Sequence, residues 1–418
     1  MTSNSSTSDG TSIKVSEKVS HFKQDVWSIF TPLAARLNAV NLGQGFMNFP
    51  PPDFVKEAAK DVLLYQDSNQ YSHPKGRIRL RQALANTYGP LLNNRTLDPE
   101  TEIVISAGAN EGLYSIFAGF LDEGDESNIT MNGGVPVYVP LRPQGDIINK
   151  VISSADWKLD FNELESKITK KSKMIVFNTP HNPVGKVFSI DEMMEIAKIA
   201  QKHNLLVISD EVYDRLYFKP DVHERIANLP GMWDRTITVG SGGKTFGVTG
   251  WRVGWSIGPE KLIKTVLSAH TRIVFCVNSP LQEALAISLE KADESNYYEE
   301  NCEQYKLRRE KLMNALSDAG LPYTIPQGSY FILANTSKIN IPSDFEYPEV
   351  IQSRTKDYKV CYWMAKEIGV VTIPPSEFYC DENKWMAYDY ARFAFCKTDE
   401  TLDQAATALK KLKKYIKE

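Results

Sequence analysis

Residues 241–255 read Ser-Gly-Gly-Lys-Thr-Phe-Gly-Val-Thr-Gly-Trp-Arg-Val-Gly-Trp, and they follow a β-branched run at Thr236–Val239. The stretch holds one lysine, Lys244, and an arginine eight positions later, Arg252. Glycines let the backbone approach a bound group closely, and such a setting could leave Lys244 poorly solvated. A desolvated lysine loses its proton more easily and becomes a nucleophile toward an aldehyde. For a lysine considered alone, a turn with a surface side chain is the commoner interpretation.

The same stretch contains Gly243-Lys244-Thr245, which looks like the end of a P-loop. That phosphate-binding motif requires a glycine five positions before Gly243, where this chain has Thr238. Arg252 and the two tryptophans of the stretch are also foreign to the motif. We therefore set the P-loop aside.

Length and charge limit the class of protein. The chain has 418 residues, enough for two domains or for one large α/β domain with an appendage. Its formal net charge of −4 gives no basic excess for nucleic acid, and no polybasic run points to a membrane surface. No apolar stretch approaches membrane-spanning length. We expect neither nucleic acid nor a membrane among its partners.

Five scattered cysteines lack the paired CxxC spacing of a zinc site. Their odd number favours a reducing compartment, and we expect no metal centre. Residues 1–20 are rich in Ser and Thr and lack arginine and an apolar core. This composition predicts a disordered tail over 1–18 and favours it over a mitochondrial presequence. We therefore expect a cytoplasmic protein, with the mitochondrion as the alternative.

Strands and helices alternate from Glu102 onward. This pattern predicts a mostly parallel sheet covered by helices on both faces, an α/β fold. The predicted strands are Glu102–Ser106, Val135–Leu141, Met174–Asn178, Leu205–Ser209, Thr236–Val239 and Arg252–Ile257. Ligands of such sheets bind beyond the carboxyl ends of the strands. Polar residues follow three of those ends, namely Asn178 and Asn182, Asp210 and Tyr213, and Ser241 and Lys244.

The turn Ala107-Gly-Ala-Asn-Glu-Gly112 joins the first predicted strand to an apolar helix that runs through Phe120. Small residues at such a junction can form an anion site, because free N–H groups and the helix dipole point outward there. Alone this signal is weak, since many α/β proteins have such a turn.

One strand of the alternation is missing. After the helix that ends near Leu121 and the turn at 122–126, a buried strand is due. The chain offers only Ser127-Asn-Ile-Thr-Met-Asn-Gly-Gly134, which has no apolar run. It is about a dozen residues shorter than a strand and a loop would need.

The character of the sequence changes past Ser279, where a long helical tract leads to mixed strands and helices. This predicts a second, smaller α+β domain. We divide the chain into a tail (1–18), an N-terminal arm that contributes to the small domain (19–50), a large domain (51–295) and a small domain (296–418). Arg392 interrupts the apolar strand Tyr390–Phe395. A buried arginine must be paired, so a carboxylate of the protein or of a ligand should meet it.

These residues belong to a set of motifs that together are highly specific. The motifs are Leu42-Gly-Gln-Gly-Phe46, Asn178-Thr-Pro-His-Asn-Pro-Val-Gly-Lys-Val-Phe188, Ser209-Asp-Glu-Val-Tyr213, Gly240-Ser-Gly-Gly-Lys-Thr-Phe246, Gly250-Trp-Arg-Val-Gly-Trp255 and Pro326-Gln-Gly-Ser-Tyr-Phe331. With them the chain, from about Leu42 to its end, resembles the fold-type I, pyridoxal-phosphate-dependent aminotransferases of class I/II. Within that class it resembles the kynurenine aminotransferases, also called glutamine transaminase K or cysteine-S-conjugate β-lyase. Two further segments, 270–281 and 373–379, resemble the fungal branch.

The resemblance implies pyridoxal 5′-phosphate as cofactor and assigns roles to matching residues. Lys244 would bind the cofactor covalently and then move a proton. Asp210 would face the pyridine nitrogen, and Tyr213 and Asn182 would hydrogen-bond the phenolic oxygen. The phosphate would be held by Ser241, Arg252, the N–H groups of Ala109 and Asn110, and Tyr71 from the partner subunit of a homodimer.

The resemblance also places the substrate. Arg392 would clamp the α-carboxylate of an amino acid, with help from Asn182 and the backbone of Gly45. Trp27, together with Tyr330 and Phe331, would wall a pocket for an aromatic side chain, although plain core packing is an equal alternative for these rings. The expected partners are small-molecule amino acids and 2-oxo acids.

The implied activity is the transfer of an amino group from kynurenine, or from another aromatic or sulfur-containing amino acid, to a 2-oxo acid. The departure from the family lies at the missing strand, which would carry the aromatic ring that stacks on the cofactor. Either a short segment is absent from this sequence, as after a splicing error, or the protein is a catalytically impaired paralogue. The same residues are also compatible with a cysteine-S-conjugate β-lyase and with a general aromatic aminotransferase.

Overall fold

The structure is a computed structural model, and it describes residues 26–122, 132 and 134–416. The predicted tail over 1–18 and the start of the arm, 19–25, lie outside the described residues. So does most of the segment 127–134 in which a strand is missing. Among the described residues no helix is long and apolar enough to cross a bilayer.

The described chain forms thirteen strands and thirteen α-helices. The strands are β1 Val40–Asn41, β2 Ile103–Ser106, β3 Arg142–Pro143, β4 Ile152–Ser153, β5 Trp157–Lys158, β6 Met174–Asn178, β7 Leu206–Asp210, β8 Thr236–Ser241, β9 Gly254–Ile257, β10 Thr324–Ile325, β11 Phe331–Asn335, β12 Val370–Val371 and β13 Tyr390–Ala394. The helices are α1 Val26–Leu37, α2 Asp53–Val62, α3 Ile78–Tyr88, α4 Ala109–Phe120, α5 Phe161–Ser166, α6 Ile190–Lys202, α7 Gly242–Thr245, α8 Glu260–Ile273, α9 Ser279–Asp293, α10 Tyr297–Asp318, α11 Glu349–Gln352, α12 Lys356–Trp363 and α13 Asp399–Leu409.

The central sheet has the strand order β2-β9-β8-β7-β6. Strands β6, β7 and β8 pair in parallel, whereas β9 runs antiparallel to both of its neighbours. All strands except β9 therefore point the same way, and the predicted mostly parallel α/β sheet is confirmed. All four residues of β2 are buried, as expected for a strand that is covered on both faces.

Helices cover both faces of this sheet. On one face Val104 of β2 and Val239 of β8 pack with Ile116 of α4 and Ile263 of α8. On the other face the alternate residue Ile105 of β2 belongs to a second cluster. That cluster draws its helical members from α2, α3 and α9, including Val55, Leu80, Leu84 and Leu285. The period-two alternation of β2 thus supplies both layers of the core.

Strand β6 has one open edge among the described residues, since its described ladder is to β7. A cavity of about 630 Å³ lies against all five residues of β6. Its other walls are largely apolar and include Leu113, Phe117, Val137, Val139 and Ile168. The cavity reaches Asn110 and Asp210 at the carboxyl end of the sheet.

The prediction of a strand at Val135–Leu141 was wrong. Val135 forms an isolated bridge, residues 136–141 have no regular structure, and only the two-residue strand β3 follows. Pro136 and Pro140 interrupt the apolar run, and a proline has no N–H to donate to a neighbouring strand. The apolar side chains of this segment line the cavity beside β6 instead.

A separate cluster gathers α1, the antiparallel pair β11–β13, and helices α10, α12 and α13. Strand β1 joins it by pairing in parallel with β12. The predicted tract from Ser279 to Ala319 is two helices, α9 and α10. The division of the chain at residues 50 and 295 stays a prediction.

Candidate active site

The candidate site lies at the carboxyl ends of β6, β7 and β8. Asn178 is the last residue of β6 and pairs in register with Asp210, the last residue of β7. Asp210 in turn pairs with Val239 of β8, and Ser241 ends that strand. The parallel register therefore brings three of the predicted polar positions to one edge of the sheet.

Asp210 is held by hydrogen bonds on both its backbone and its side chain. Asn178 Nδ2 donates to the carbonyl of Asp210 over 2.9 Å, and the amide of Val212 donates to Oδ1 over 3.4 Å. Burial raises the pKa of Asp210 to about 6. A carboxylate that is costly to bury favours a protonated, positively charged ligand group beside it.

Lys244 sits in the single helical turn α7, directly after β8. The glycines around it are required by packing, because a Cβ at Gly243 would lie 2.9 Å from the backbone of Thr249. Lys244 is half-buried, so the interpretation as a surface lysine is wrong. Burial lowers its pKa to about 8, so about a tenth of the amine is neutral at pH 7, far more than for an ordinary lysine.

The N-terminus of α4 forms the anion-binding end of the site. Helix α4 begins at Ala109 after Gly108, which has φ of 82° and gives no side-chain cap. A Cβ at Gly108 would lie 2.5 Å from Nη2 of Arg252, so the guanidinium rests directly against this turn. The amides of Ala109 and Asn110 have no acceptor in the part of the chain that the structure describes. Free amides and a cation together suit a phosphate.

Arg392 on β13 is buried, with 1% of its surface exposed. Its Nη1 donates to Oδ1 of Asn182 over 2.9 Å, and its Nη2 donates to the carbonyl of Gly43 over 2.8 Å. Burial lowers its pKa to about 10, and the described groups that act on it electrostatically include no carboxylate. Its Nε has no hydrogen-bond partner among the described residues. The sequence predicted that a carboxylate of the protein or of a ligand would pair with Arg392. Because no described protein carboxylate does so, a ligand carboxylate fits this arrangement better.

Aromatic rings surround this guanidinium. The ring centroids of Phe331, Phe378 and Trp27 lie 4.1, 4.9 and 5.8 Å from its Cζ. Trp27 is 39% exposed, whereas Phe331 and Tyr330 are buried within the core. Phe331 and Tyr330 thus belong to the core, whereas Trp27 and Phe378 leave part of their rings exposed beside Arg392.

Tyr213 and Gly45 complete the predicted set around Lys244. The ring of Tyr213 is buried, and its centroid lies 5.7 Å from Lys244 Nζ and 5.1 Å from the ring of Tyr330. Burial raises the pKa of Tyr213 well above its usual value, so its hydroxyl stays neutral. A Cβ at Gly45 would lie 2.7 Å from Phe331, which explains why a glycine is needed there.

Tyr71, another predicted site residue, makes no described contact with the other site residues of its own chain. It is 85% exposed, and its ring contacts Phe275 at 5.9 Å. Sequence reasoning also missed a contact, the hydrogen bond from Lys244 Nζ to Tyr330 Oη at 2.9 Å. The motif Pro326–Phe331 was the only signal for it in the sequence.

The residues present fit pyridoxal 5′-phosphate, which has an anionic phosphate, a protonatable ring nitrogen and an aldehyde. The α4 N-terminus with Arg252 and Ser241 suits the phosphate, Asp210 suits the ring nitrogen, and Lys244 suits the aldehyde. Among the described residues no group of three His, Cys, Asp or Glu side chains could hold a metal ion.

Comparisons with known proteins place the chain among aminotransferases. The model of the family "Aminotransferase class I and II" matches residues 38–409. A kynurenine–oxoglutarate transaminase from Dictyostelium discoideum is 43% identical over 422 residues, covering 96% of this chain and 97% of that protein. Kynurenine–oxoglutarate transaminase 3 from Homo sapiens is 38% identical over 423 residues, covering 96% and 92%. The crystal structure of Bna3p from Saccharomyces cerevisiae has a TM-score of 0.92 at 40% identity, covering 97% of this chain and 100% of that one.

The alignment to the Dictyostelium protein spans 422 positions, more than the 418 residues of the whole chain. The chain therefore carries gaps relative to that protein.

Proposed function

Because the chain belongs to the class I and II aminotransferases and depends on pyridoxal 5′-phosphate, we propose that it transfers the amino group of kynurenine to 2-oxoglutarate or a related 2-oxo acid. Other aromatic and sulfur-containing amino acids would be further donors. One observation carries the proposal: Arg392, a buried arginine without a carboxylate partner among the described residues, lies in the same site as Lys244, a lysine of lowered pKa. An amino acid offers the carboxylate and the amine that these two groups require.

The cofactor, once bound, supplies an electron sink that stabilises negative charge at the substrate Cα. Lys244 would hold it and, when free, would move a proton as a general base, for which a pKa of about 8 is well matched. Asp210 would keep the ring nitrogen protonated through its negative charge. Tyr213 and Asn182 would hold the ring by hydrogen bonds to its phenolic oxygen.

The substrate carboxylate would lie on Arg392, whose Nε still lacks a partner among the described residues. Asn182 and the backbone of Gly45 would complete the carboxylate site. The exposed rings of Trp27 and Phe378 beside the guanidinium favour an aromatic side chain on the donor. These contacts support kynurenine over a small aliphatic amino acid.

A homodimer is part of the proposal. Large apolar side chains are exposed in one stretch, where Leu64 is 80% exposed and Tyr71 is 85% exposed, and Tyr71 contacts the exposed Phe275. An apolar area of this kind suits a second copy of the chain. Tyr71 would then reach the phosphate site of the partner subunit. Light scattering tests this: twice 47.2 kDa is expected, and a monomer at micromolar concentration would contradict it.

We also propose a cytoplasmic location, with the mitochondrion as the alternative. The five cysteines are all free of disulfides, which suits a reducing compartment. Fluorescence microscopy of the tagged full chain in its own cells distinguishes the two compartments.

A second candidate is a catalytically impaired paralogue that keeps the fold. Such a paralogue would also have the open edge of β6 and the cavity beside it, which adjoin Asp210 at the site itself. A cysteine-S-conjugate β-lyase and a general aromatic aminotransferase share the same residues. Ammonia and pyruvate as products of a cysteine conjugate would mark lyase activity, whereas glutamate formed from 2-oxoglutarate marks transamination.

Absorbance spectroscopy tests the main proposal. The purified protein with pyridoxal 5′-phosphate should show a visible band that bleaches when L-kynurenine is added and returns with 2-oxoglutarate. A band that forms but never shifts with any amino acid would favour the impaired paralogue. Lys244→Ala serves as the control, since it removes the amine that the band requires.

A further inference from the structure

The hydroxyl of Tyr330 lies between the reactive lysine and the turn that carries Gly45. Lys244 Nζ donates to Tyr330 Oη over 2.9 Å, and Tyr330 Oη donates to the carbonyl of Gly45 over 2.7 Å. A carbonyl can only accept a hydrogen bond, so the phenol proton points to Gly45. The remaining lone pairs of Oη then face Lys244.

We propose that Tyr330 is a positioning residue that holds the Lys244 amine whenever that amine is not bonded to the cofactor. The inference rests on the proposed function, in which Lys244 must be released by the substrate and must then carry a proton. A released lysine on a flexible four-carbon stem has many rotamers. One fixed acceptor at the site keeps the amine within reach of the reacting atoms and so lowers the entropic cost of the proton transfer.

The hydroxyl of Tyr330, which accepts the hydrogen bond from Lys244, is held rigidly by its surroundings. Tyr330 has no exposed surface, and its ring centroid lies 4.7 Å from Phe331, 5.1 Å from Tyr213 and 6.1 Å from Tyr305. Its backbone carbonyl accepts from the amide of Phe395. The position of Oη is therefore set by the core and does not depend on Lys244.

A neutral phenol suits a lysine that must act as a base. Burial raises the pKa of Tyr330 well above its usual value, so the phenol stays un-ionised. A carboxylate in the same place would stabilise the ammonium form of Lys244 and raise its pKa. The phenol fixes the amine without adding a negative charge, which is consistent with a lysine pKa of about 8.

The same hydroxyl links the lysine to the substrate site. Gly45, which accepts its proton, lies in the same turn as Gly43, whose carbonyl accepts from Arg392 Nη2. A movement of this turn when a carboxylate binds to Arg392 would therefore be transmitted to the acceptor of the lysine amine. Hydrogen bonds therefore connect Lys244 through Tyr330 to Gly45, and the backbone of the turn connects Gly45 to Gly43, which Arg392 contacts.

Tyr330→Phe tests the proposal, since it removes one oxygen and keeps the ring. The matched control is Tyr305→Phe, which removes a hydroxyl from the ring stacked beside Tyr330 without touching Lys244. The first readout uses cofactor-free protein and needs no turnover: the pH dependence of Lys244 acylation, followed by peptide mass spectrometry. Loss of the acceptor should lower the apparent pKa of Lys244 by roughly half a unit to one unit, the size of one hydrogen bond.

The groups that face Lys244 and could also shift this profile are kept in both variants. They are Asp210, Arg252, Arg392, Cys396 and Tyr213. The second readout is kinetic: kcat should fall about tenfold with an unchanged KM for the amino acid, and the isotope effect with Cα-deuterated substrate should rise.

An unchanged acylation profile together with an unchanged kcat in Tyr330→Phe would overturn the proposal. So would a wild-type apparent pKa of Lys244 at or above the ordinary 10.5, because that value requires an anionic partner. If Tyr330→Phe does not fold, the wild-type profile alone decides. Failure of the proposed function is distinguishable, because it would show as a cofactor band that no amino acid shifts, while the acylation readout on cofactor-free protein is unaffected.

Discussion

Arg392 shows at the scale of a residue how burial and charge select a ligand. A guanidinium with 1% exposure is expensive to bury without a negative partner, and its described neighbours supply only neutral acceptors. Under the proposed function, the carboxylate of the substrate would complete this position. Lys244 and Asp210 follow the same rule, since burial displaces their pKa values toward each other.

Arg392→Lys should reduce kcat/KM for amino acids about 100- to 1000-fold, because a lysine cannot form the bidentate pair with a carboxylate. The visible band of the bound cofactor should be unchanged. Steady-state kinetics with L-kynurenine check this. Arg354→Lys is the matched control, since that guanidinium also lies over a ring, 5.1 Å from the centroid of Tyr358. A loss of less than about threefold in Arg392→Lys would contradict the assignment.

Asp210→Asn should separate stability from catalysis. Burial raises the pKa of Asp210 to about 6 from its ordinary 3.8, so the folded protein keeps a proton that the unfolded chain has released. Stability from this group is therefore present below pH 4 and is lost as the pH rises through 6. The cofactor-free variant should be more stable than wild type by about 3 kcal/mol at pH 7.5 and equal to it below pH 4. Urea unfolding measures the difference.

Asp210→Asn should lower the activity, although it raises the stability at pH 7.5. An uncharged asparagine no longer holds the proton on the cofactor ring, and kcat should fall by about 1000-fold. Equal stability of the two proteins at pH 7.5 would show that the carboxylate is not desolvated.

Most of these residues could be predicted because they lie in short motifs. Lys244, Asp210, Asn182 and Arg392 stand in segments that the sequence displays directly. The hydrogen bonds of the Tyr330 hydroxyl could not be predicted, since they depend on packing between segments that are far apart in the chain. Its partners, Lys244 and Gly45, are about 200 positions apart in the sequence.

At the scale of the element, the predicted ends of the buried strands agree closely with the observed ends. The apolar runs predicted β6 at its observed ends and β7 to within one residue. The prediction at 135–141 failed because a strand also needs donors for its ladder, and two prolines remove them. Pairing is a property of two segments, so a pattern in one segment cannot establish it.

Gly254→Ala tests the packing of the N-terminus of α4 against β9. A Cβ at Gly254 would lie 2.6 Å from the amide nitrogen of Ala109 and 2.7 Å from the carbonyl carbon of Gly108. Both are backbone atoms at the N-terminus of α4, so they cannot move aside as a flexible side chain could. The variant should lose roughly 1–3 kcal/mol of stability and bind the cofactor at least tenfold more weakly.

Gly250→Ala is the matched control, because no atom of the described residues lies within 4 Å of a Cβ there. Thermal unfolding and cofactor titration of both variants check the prediction. Equal behaviour of the two variants would show that α4 is not held by this contact.

The open edge of β6 bears on the missing strand. The cavity follows β6 along its whole length and has mostly aliphatic walls, as a buried strand would require. We expect the protein from its natural source to carry about a dozen additional residues near 123–133, the length of a strand and a loop. Intact-mass measurement should then exceed 47.2 kDa by about 1.3 kDa. A mass of 47.2 kDa would favour the impaired paralogue.

At the scale of the whole molecule, the site lies where two cores meet. Lys244, Asp210 and Ser241 come from the strands of the central sheet and the turn that follows them, whereas Arg392 and Tyr330 come from the cluster built around β11 and β13. The sequence predicted both halves as separate units. It could not predict their relative placement, because no periodic pattern encodes the contact between β13 and the turn at Gly43–Gly45.

The covalent attachment point of the cofactor tests the proposed function most directly. The protein is incubated with pyridoxal 5′-phosphate, reduced with sodium borohydride, digested and mapped by mass spectrometry. The added mass should be found on Lys244 and on no other lysine, including Lys186, which is also enclosed but paired with Glu192 at 2.9 Å. Stoichiometric label on another lysine, or none on Lys244, would contradict the proposed role of Lys244.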